Sequence, residues 1–329
     1  MQPARTMVFA LALVLAALGL HAPAAEAQGE ARAWPQRNVR LILPFGAGSS
    51  TDIVARLLGE RLQARWGQAV VVENRPGGDG LLSIGTFVSA NDDHTFFFGP
   101  SSVYLVHPYL HANLPYVFES DMLPIVKLSK TLLVLAAPAT LPADDMKQFV
   151  ALVRASDGKM NYGMTPGFTE FVFQGFLREQ ALVMSKVPYR DIVQAPIDLG
   201  EGRIQILGVS HSVALPQVQA GRVKLLAVAD AKRSPLAPDV PSVHESGFPS
   251  LESVSILGAY GPRGMALDLR VRVAGDFIAL AKEPAIAERL RAAAQDIDPA
   301  GPEEFAAAIA QQHTQVAAIA RLLGIAKQK

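Results

Sequence analysis

Residues 44–52 read Pro-Phe-Gly-Ala-Gly-Ser-Ser-Thr-Asp, directly after the apolar run Val39–Leu43. Two glycines let backbone approach a bound group closely. Ser49, Ser50 and Thr51 add hydroxyl donors. A helix opening here leaves several backbone N–H groups without partners, at the positive end of its dipole. Phe45, Gly46, Ala47, Gly48, Ser49, Ser50, Thr51 and Asp52 therefore form a candidate cradle for a carboxylate or phosphate. The same residues equally suit an ordinary strand-to-helix turn with a serine N-cap and Asp52 favoured by the dipole. The stretch is neither a dinucleotide fingerprint, because Thr51 holds the third glycine position, nor a P-loop, because no Lys-Ser/Thr follows.

Two later stretches repeat this logic. Gly99-Pro100-Ser101-Ser102 ends a third apolar strand and offers Ser101 and Ser102. Asn161–Thr169 is another strand-to-helix turn, in which Thr165 and Thr169 are the polar candidates. Each also reads as a capped helix start or a Pro-Gly turn.

Covalent chemistry finds little support. No G-x-S-x-G elbow and no H-E-x-x-H pair occurs. His107 and His111 are four apart, a spacing that suits a metal on one helix face, but Pro108 lies between them and no carboxylate is near in sequence. Ser210-His211-Ser212 reads as a polar strand end. No catalytic residue, metal or cofactor is expected.

The whole chain sets the context for these turns. Its 329 residues are enough for two domains, and 50% hydrophobic against 18% charged residues supports a large core. Thirty basic residues balance thirty acidic ones, so no field favours nucleic acid or an anionic membrane. Arg5, the uncharged run Met7–Leu20 and Ala25-Glu26-Ala27 read as a signal peptide over residues 1–27, cleaved after Ala27. The chain has no cysteine, which excludes disulfides, thiolate metal sites and a lipid anchor at the cleavage point. An exported protein of a bacterial periplasm fits these features.

The elements that would position the turns alternate between strand and helix. Val39–Phe45, Ala69–Glu73 and Thr95–Phe98 read as buried strands, with helices over Thr51–Trp66 and Leu81–Ala90, which implies a parallel sheet with right-handed crossovers. Gly67 suits the stop of the first helix. Ile125–Ala137 reads as one long extended segment. A second α/β unit follows: helices at Ala143–Ser156 and Phe168–Gln180, and strands at Lys159–Tyr162, Lys186–Tyr189, Arg203–Val209 and Val223–Ala229. Ser234–Pro249 is a loop, Ser253–Tyr260 a strand, and Leu267–Gly324 almost wholly helical, with Pro284 and Pro302 at helix starts. Extended segments near 125–137 and 253–260 suit two crossings between lobes, hence a hinge and a cleft. Ligands in open α/β sheets bind beyond the carboxyl ends of strands, and the loops 44–52, 75–80 and 99–102 lie there.

Longer stretches carry a family resemblance. Trp34-Pro35, Val39–Phe45 and Thr51-Asp52-Ile53-Val54-Ala55-Arg56 resemble the opening of the Bug/TctC family, the periplasmic solute-binding proteins of tripartite tricarboxylate transporters. Val71–Gly77, Leu114-Pro115-Tyr116, Gly158–Tyr162, Val187-Pro188-Tyr189, Ala220–Val228, Lys232–Pro235, Pro238–Pro241 and Pro302–Phe305 continue it in order across nearly the whole mature chain. The resemblance implies an α/β, two-lobed type II periplasmic-binding-protein fold with a hinge of two crossing strands and an interlobe cleft. Lobe 1 is expected at 28–128 plus 255–329, and lobe 2 at 129–254.

By that resemblance, the loops matching 45–52 and 99–102 hold one ligand carboxylate, and those matching 163–169 and 190–192 meet the other end. This adds Arg190, and Ser210 beside the next strand end, to the candidates. The first lobe keeps the family pattern with changes: Gly46 stands where proline is common, Ser49-Ser50 replace Gly-Gly, and Asp79 replaces a small residue. The second lobe departs further. A usual Ser-x-Gly-x-Gly-Thr-x-x-His reads Met164, Pro166, Phe168, Thr169 and Val172 at its defined positions. Arg190-Asp191-Ile192 stands for Lys-Gly-Ser, and Val209 for an aspartate. Lost donors would leave a buried carboxylate unpaired, so the expected ligand has one anionic end and a less polar body, or is a smaller acid. Arg190 offers a bidentate grip; a second lobe that has lost ligand binding is the alternative. The expectation is a monomeric receptor that delivers a small organic acid to a membrane permease and is not an enzyme. The competing readings are a sensory module for a receptor kinase and an exported hydrolase.

Overall fold

The computed structural model describes residues 34–189 and 192–328; the expected signal peptide and Arg190 lie outside them. In chain order the elements are β1 (Val39–Leu43), α1 (Ser50–Trp66), β2 (Val70–Asn74), α2 (Leu81–Ala90), β3 (Thr95–Pro100), α3 (His107–Leu110), α4 (Phe118–Asp121), β4 (Leu123–Thr131) and β5 (Leu133–Pro138). Then follow α5 (Met146–Ala155), β6 (Asn161–Met164), α6 (Phe168–Glu179), β7 (Ser185–Lys186), α7 (Ala195–Gly200), β8 (Ile206–Ser210), α8 (His211–Gln219) and β9 (Val223–Val228). The chain ends with β10 (Ser255–Gly261), α9 (Leu267–Ala281), α10 (Pro284–Ala292), β11 (Gln295–Ala300) and α11 (Pro302–Leu323).

From Arg37 onward the chain forms one unit built on two sheets, ordered β11-β4-β10-β3-β1-β2 and β7-β6-β8-β5-β9. β1 pairs in parallel with β2 and β3, as the alternating pattern implies. The parallel expectation stops there, because β10 runs antiparallel to both β3 and β4. β3 is buried throughout, as an apolar run in a central position requires. The expected burial of the second strand is corrected: β2 is an edge strand, and Val71 is 38% exposed.

The long extended segment is two strands rather than one. β4 belongs to the first sheet and β5 to the second, and Leu132 alone separates them. Its N–H donates to Ala294 O at 3.1 Å, on the first-sheet side, and its carbonyl accepts from His211 N at 2.8 Å, on the second-sheet side. Hydrophobic periodicity runs through this residue, so only pairing partners reveal the crossing. The return crossing is at Ser253, whose N–H donates to Ala229 O at 2.9 Å just before β10 enters the first sheet. A second correction concerns the tail, which contains the strand β11 between α10 and α11. Its sequence, Gln-Asp-Ile-Asp-Pro-Ala, lacks strand propensity and holds its place by pairing along β4. The expected strand at Lys186–Tyr189 shrinks to the two residues of β7.

Helix α6 touches two cores. Phe168, Phe171 and Val172 lie in the apolar cluster of the first sheet, with Val103, Tyr104, Ile256 and Val316. Phe173, Phe176 and Leu177 lie in a cluster of the second sheet, with Phe149 and Tyr162. The six lie on one broad apolar arc of the helix, with Glu170, Gln174 and Arg178 on the remaining face. Its contact with α11 is close: a Cβ built on Gly175 would stand 2.9 Å from Ile319 Cγ2.

Candidate functional site

Four strand ends open into turns followed by helical backbone. β1 leads through 44–49 into α1, β3 into the turn 101–103, β6 through 165–167 into α6, and β8 directly into α8. These are the carboxyl ends of strands, where the first N–H groups of each helix lack intrahelical acceptors. The N–H groups of Ser50 and Thr51, Ser102 and Val103, Phe168 and Thr169, and Ser212 find no acceptor among the described residues.

The 44–52 loop is built as the sequence suggests, but its side chains divide differently. Ser49 is the N-cap of α1, its Oγ accepting from Asp52 N at 3.2 Å, so its own hydroxyl proton is free to donate. Gly48 takes φ +83°, which explains the second glycine. Phe45, Gly46, Ala47 and Gly48 are exposed along the rim. Asp52 points back into the protein. Its carboxylate accepts from Gly48 N at 2.9 Å, Asn74 Nδ2 at 2.9 Å and Arg56 Nε at 3.0 Å. Burial alone would raise its pKa, but the hydrogen bonds from Arg56, Gly48 and Asn74 outweigh burial and hold it below the usual carboxylate range. Asp52 is thus an internal anion that shapes the loop, with Arg56 compensating its charge. Asn74 also donates to Phe45 O at 2.9 Å, tying the loop to β2.

Ser50 is turned toward the hinge: its hydroxyl donates to Ala293 O at 2.8 Å and accepts from Gln295 Nε2 at 3.1 Å. Gln295 reaches on to Thr131 Oγ1 at 3.3 Å and accepts from Ser129 at 2.6 Å. A chain of bonds therefore runs from the start of α1 through Gln295 and Thr131 to Leu132, whose carbonyl holds the first N–H of α8. That chain sets the N-termini of α1 and α8 on either side of one hinge residue.

The other candidates are dispersed along the same seam. Ser101 is buried, with its Oγ accepting from Ile256 N at 3.1 Å. Ser102 pairs with Ser255 at 3.0 Å, Oγ to Oγ, and Thr169 Oγ1 accepts from Ser253 Oγ at 3.3 Å. Thr165 closes on Gly208 O with its N–H at 2.8 Å and its hydroxyl at 3.1 Å, so it secures its own turn. Ser210 is half-buried beside Ser212 at 3.4 Å. The imidazole of His211, next to it, is held below its ordinary pKa by burial. Thr51 is buried at the first turn of α1.

Sequence reasoning missed Ser253, Ser255 and Gln295. The two serines flank the strand start at a period of two, which is a readable signal on a crossing strand; Gln295 stood in a segment assigned to helix. Asp79, expected beside the anion, is drawn off by His111, with Nε2–Oδ2 at 3.3 Å. His107 is no metal ligand: Nε2 donates to Asp79 O at 2.9 Å and Nδ1 accepts from Tyr116 at 2.8 Å. Val209, in place of an aspartate, is buried in a second-sheet core. Met164 and Val172 border a cavity of about 10 Å³ with Thr169, Gly208 and Ser253, room for about one water. Asp92, Asp93 and His94 are close enough together to hold a cation, but they sit at the opposite end of β3, where Asp92 pairs with Arg37 at 3.2 Å. Among the described residues no helix is long and apolar enough to cross a membrane.

Comparison with known proteins agrees with this geometry. Residues 54–325 match the family described as tripartite tricarboxylate transporter family receptor. A UPF0065 protein of Bordetella bronchiseptica is 32% identical over 293 residues, 87% of this chain and 83% of that one. An R. palustris protein solved with adipate superposes with a TM-score of 0.79 at 25% identity, covering 89% of this chain and 99% of its own. The periplasmic binding protein BugD superposes at 0.76 with 25% identity, over 90% of this chain and 100% of its own. Two sheets joined by two crossings, with strand ends facing a shared seam, are the fold of these two-lobed binding proteins. The chain belongs to the TctC family of solute-binding receptors, a family of binding proteins and not of enzymes.

Proposed function

We propose that this protein is a periplasmic receptor that holds a small organic acid between its lobes and delivers it to the permease of a tripartite tricarboxylate transporter. The observation that supports this most is the set of unpartnered N–H groups of α1 and α8 flanking Leu132, with Ser49 free to donate beside them. Such groups bind a carboxylate without a fixed cation, since each N–H carries part of the positive end of a helix. The lobe boundaries expected at 128/129 and 254/255 move to the crossings at Leu132 and Ser253, which act as the hinge. Ser49, the backbone of Ser50 and Thr51, Ser102, Thr169, Arg190 and Ser210 are the proposed contacts. Removal of residues 1–27 on export gives a soluble monomer. The adipate bound by the R. palustris relative supports an acid as ligand class.

A thermal-shift panel on refolded, ligand-free protein tests the reading, with mono-, di- and tricarboxylates, acidic amino acids and aromatic acids. An acid at about one hundred times its dissociation constant adds roughly 2.7 kcal/mol of stability. A panel with no shift removes the acid-receptor reading.

A further inference from the structure

The loop between β2 and α2 has an unusual backbone: Gly77, Gly78, Asp79 and Gly80 all take positive φ, from +53° to +126°. Asp79 is the only one of the four with a side chain, and L side chains seldom adopt that region. His107, buried at the start of α3, holds it there. Its Nε2 donates to Asp79 O at 2.9 Å, and its Nδ1 accepts from Tyr116 at 2.8 Å, which fixes the ring proton on Nε2. On its other side the loop is pressed onto the first-lobe turns. A Cβ built on Gly80 would overlap Val103 Cγ1 and lie 3.7 Å from Pro44 Cβ. Val103 carries one of the N–H groups that find no acceptor among the described residues, and Pro44 opens the 44–52 loop. His107 also follows directly on the turn it braces: its N–H donates to Tyr104 O at 3.1 Å, and Tyr104 N donates to Ser101 O at 3.2 Å. Imidazole, loop 77–80 and turn 101–103 therefore form a closed clasp.

We infer that His107 is a positioning residue of the acid site: through the carbonyl of Asp79 it holds loop 77–80 against Val103 and Pro44, and so fixes the N–H groups of the 101–103 turn for a carboxylate. This rests on the acid-receptor reading and adds to it a residue that does not touch the acid. A carboxylate held by backbone N–H groups depends on their direction, because a hydrogen bond weakens steeply as it bends. Donors already fixed in place also lose less freedom on binding. Without the bond from His107, the loop is free to leave a conformation that only its glycines favour. Val103 then loses the backbone packed against it, and the turn loses its support.

Isothermal titration of the processed protein with succinate, malate, adipate and citrate tests this, on wild type, His107→Asn and His107→Gln. The glutamine amide carries an N–H close to where Nε2–H stands and reaches Asp79 O. The asparagine amide lies near Nδ1 and stops short of it. His107→Asn should weaken the acids that wild type binds at least tenfold, while His107→Gln should stay within about threefold of wild type. A folded His107→Asn protein with wild-type affinity overturns the assignment, since a residue serving stability alone gives that result. So does a loss in His107→Gln as large as that in His107→Asn. Should circular dichroism show His107→Asn unfolded, Tyr116→Phe keeps the ring and removes only the hydroxyl that fixes the Nε2 proton. It must weaken binding at least threefold, and unchanged affinity overturns the assignment. Failure of wild type to bind any of the four acids overturns the acid-receptor reading itself, an outcome distinct from variants that bind as wild type does.

Discussion

Replacing Gly175 and Ile319 together with cysteine should join α6 to α11 through a disulfide. The Cβ built on Gly175 lies 3.8 Å from Ile319 Cβ, the mean Cβ separation of disulfides. The chain has no cysteine of its own, so the pair cannot shuffle. The closed loop would span roughly 145 residues, for which the chain-entropy model allows up to about 5 kcal/mol. Losing most of the Ile319 side chain removes about 1.5 kcal/mol of that by area burial. A net gain near 3 kcal/mol, against an unfolding entropy of about 0.6 kcal/mol/K for roughly 295 residues, raises Tm by about 5 °C. The single variant Gly175→Cys should instead lose about 1–3 kcal/mol, because its Cβ meets Ile319 Cγ2. Thiol titration of the oxidised double variant and a melt with and without reductant provide the assay. Free thiols after oxidation, or a Tm that rises when the bond is reduced, would refute the close α6–α11 contact. The crosslink also reports on motion: if acids still bind the locked protein, α6 moves with the first lobe and closure occurs elsewhere.

Three further outcomes are expected. Burial depresses the His107 imidazole from 6.5 to about 4; its neutral form is therefore fully favourable above pH 6.5 and that stability is lost as pH falls toward 4. The loss is about 3 kcal/mol at about 1.4 kcal/mol per unit, and Tm measured across pH 7 to 4 should be flatter in His107→Gln; an unchanged slope would contradict the assignment. Asp52→Asn should destabilise by about 1–3 kcal/mol at pH 7 through loss of the Arg56 and Gly48 bonds. Because the Asp52 pKa is lowered from its ordinary 3.8, that stability is fully present above 3.8 and is lost as pH falls through the lower folded value, so the gap between the two melts should narrow as pH drops below 3.8. A Cβ at Gly258 would sit 2.4 Å from Val126 O and 2.4 Å from Phe305 Cζ, whereas one at Gly85 meets nothing within 4 Å. Gly258→Ala should therefore abolish or severely impair folding, while Gly85→Ala in α2 gains about 0.5–1 kcal/mol, both read by urea unfolding.

Much of the frame was legible in the sequence. The apolar run Val39–Leu43, the serine cap and the stripe ending at Gly67 determined β1, α1 and its left-handed stop, because these depend on neighbours within a few residues. The alternation of strand and helix determined the parallel β1–β3 core, and Pro284 and Pro302 marked the starts of α10 and α11. The glycines and short hydroxyl side chains of 46–51 marked the turn that opens α1, since such residues suit a cap and a tight backbone. What those side chains do was settled only by tertiary structure. Ser49 and Ser50 are adjacent and similar, yet one caps α1 while the other is spent on Ala293 and Gln295, more than two hundred residues away. Asp52 reads as a dipole partner at a ligand loop, and only Arg56 and Asn74 show its charge to be internally compensated. The break at Leu132 is invisible to periodicity, because both strands are apolar and the change lies in which sheet accepts each hydrogen bond. β11 exists because β4 offers an edge, a partner that local propensity cannot see. Phe168 reads as one more apolar residue on an amphipathic helix; that its ring belongs to the opposite lobe's core is decided by which surfaces meet when the two sheets fold together.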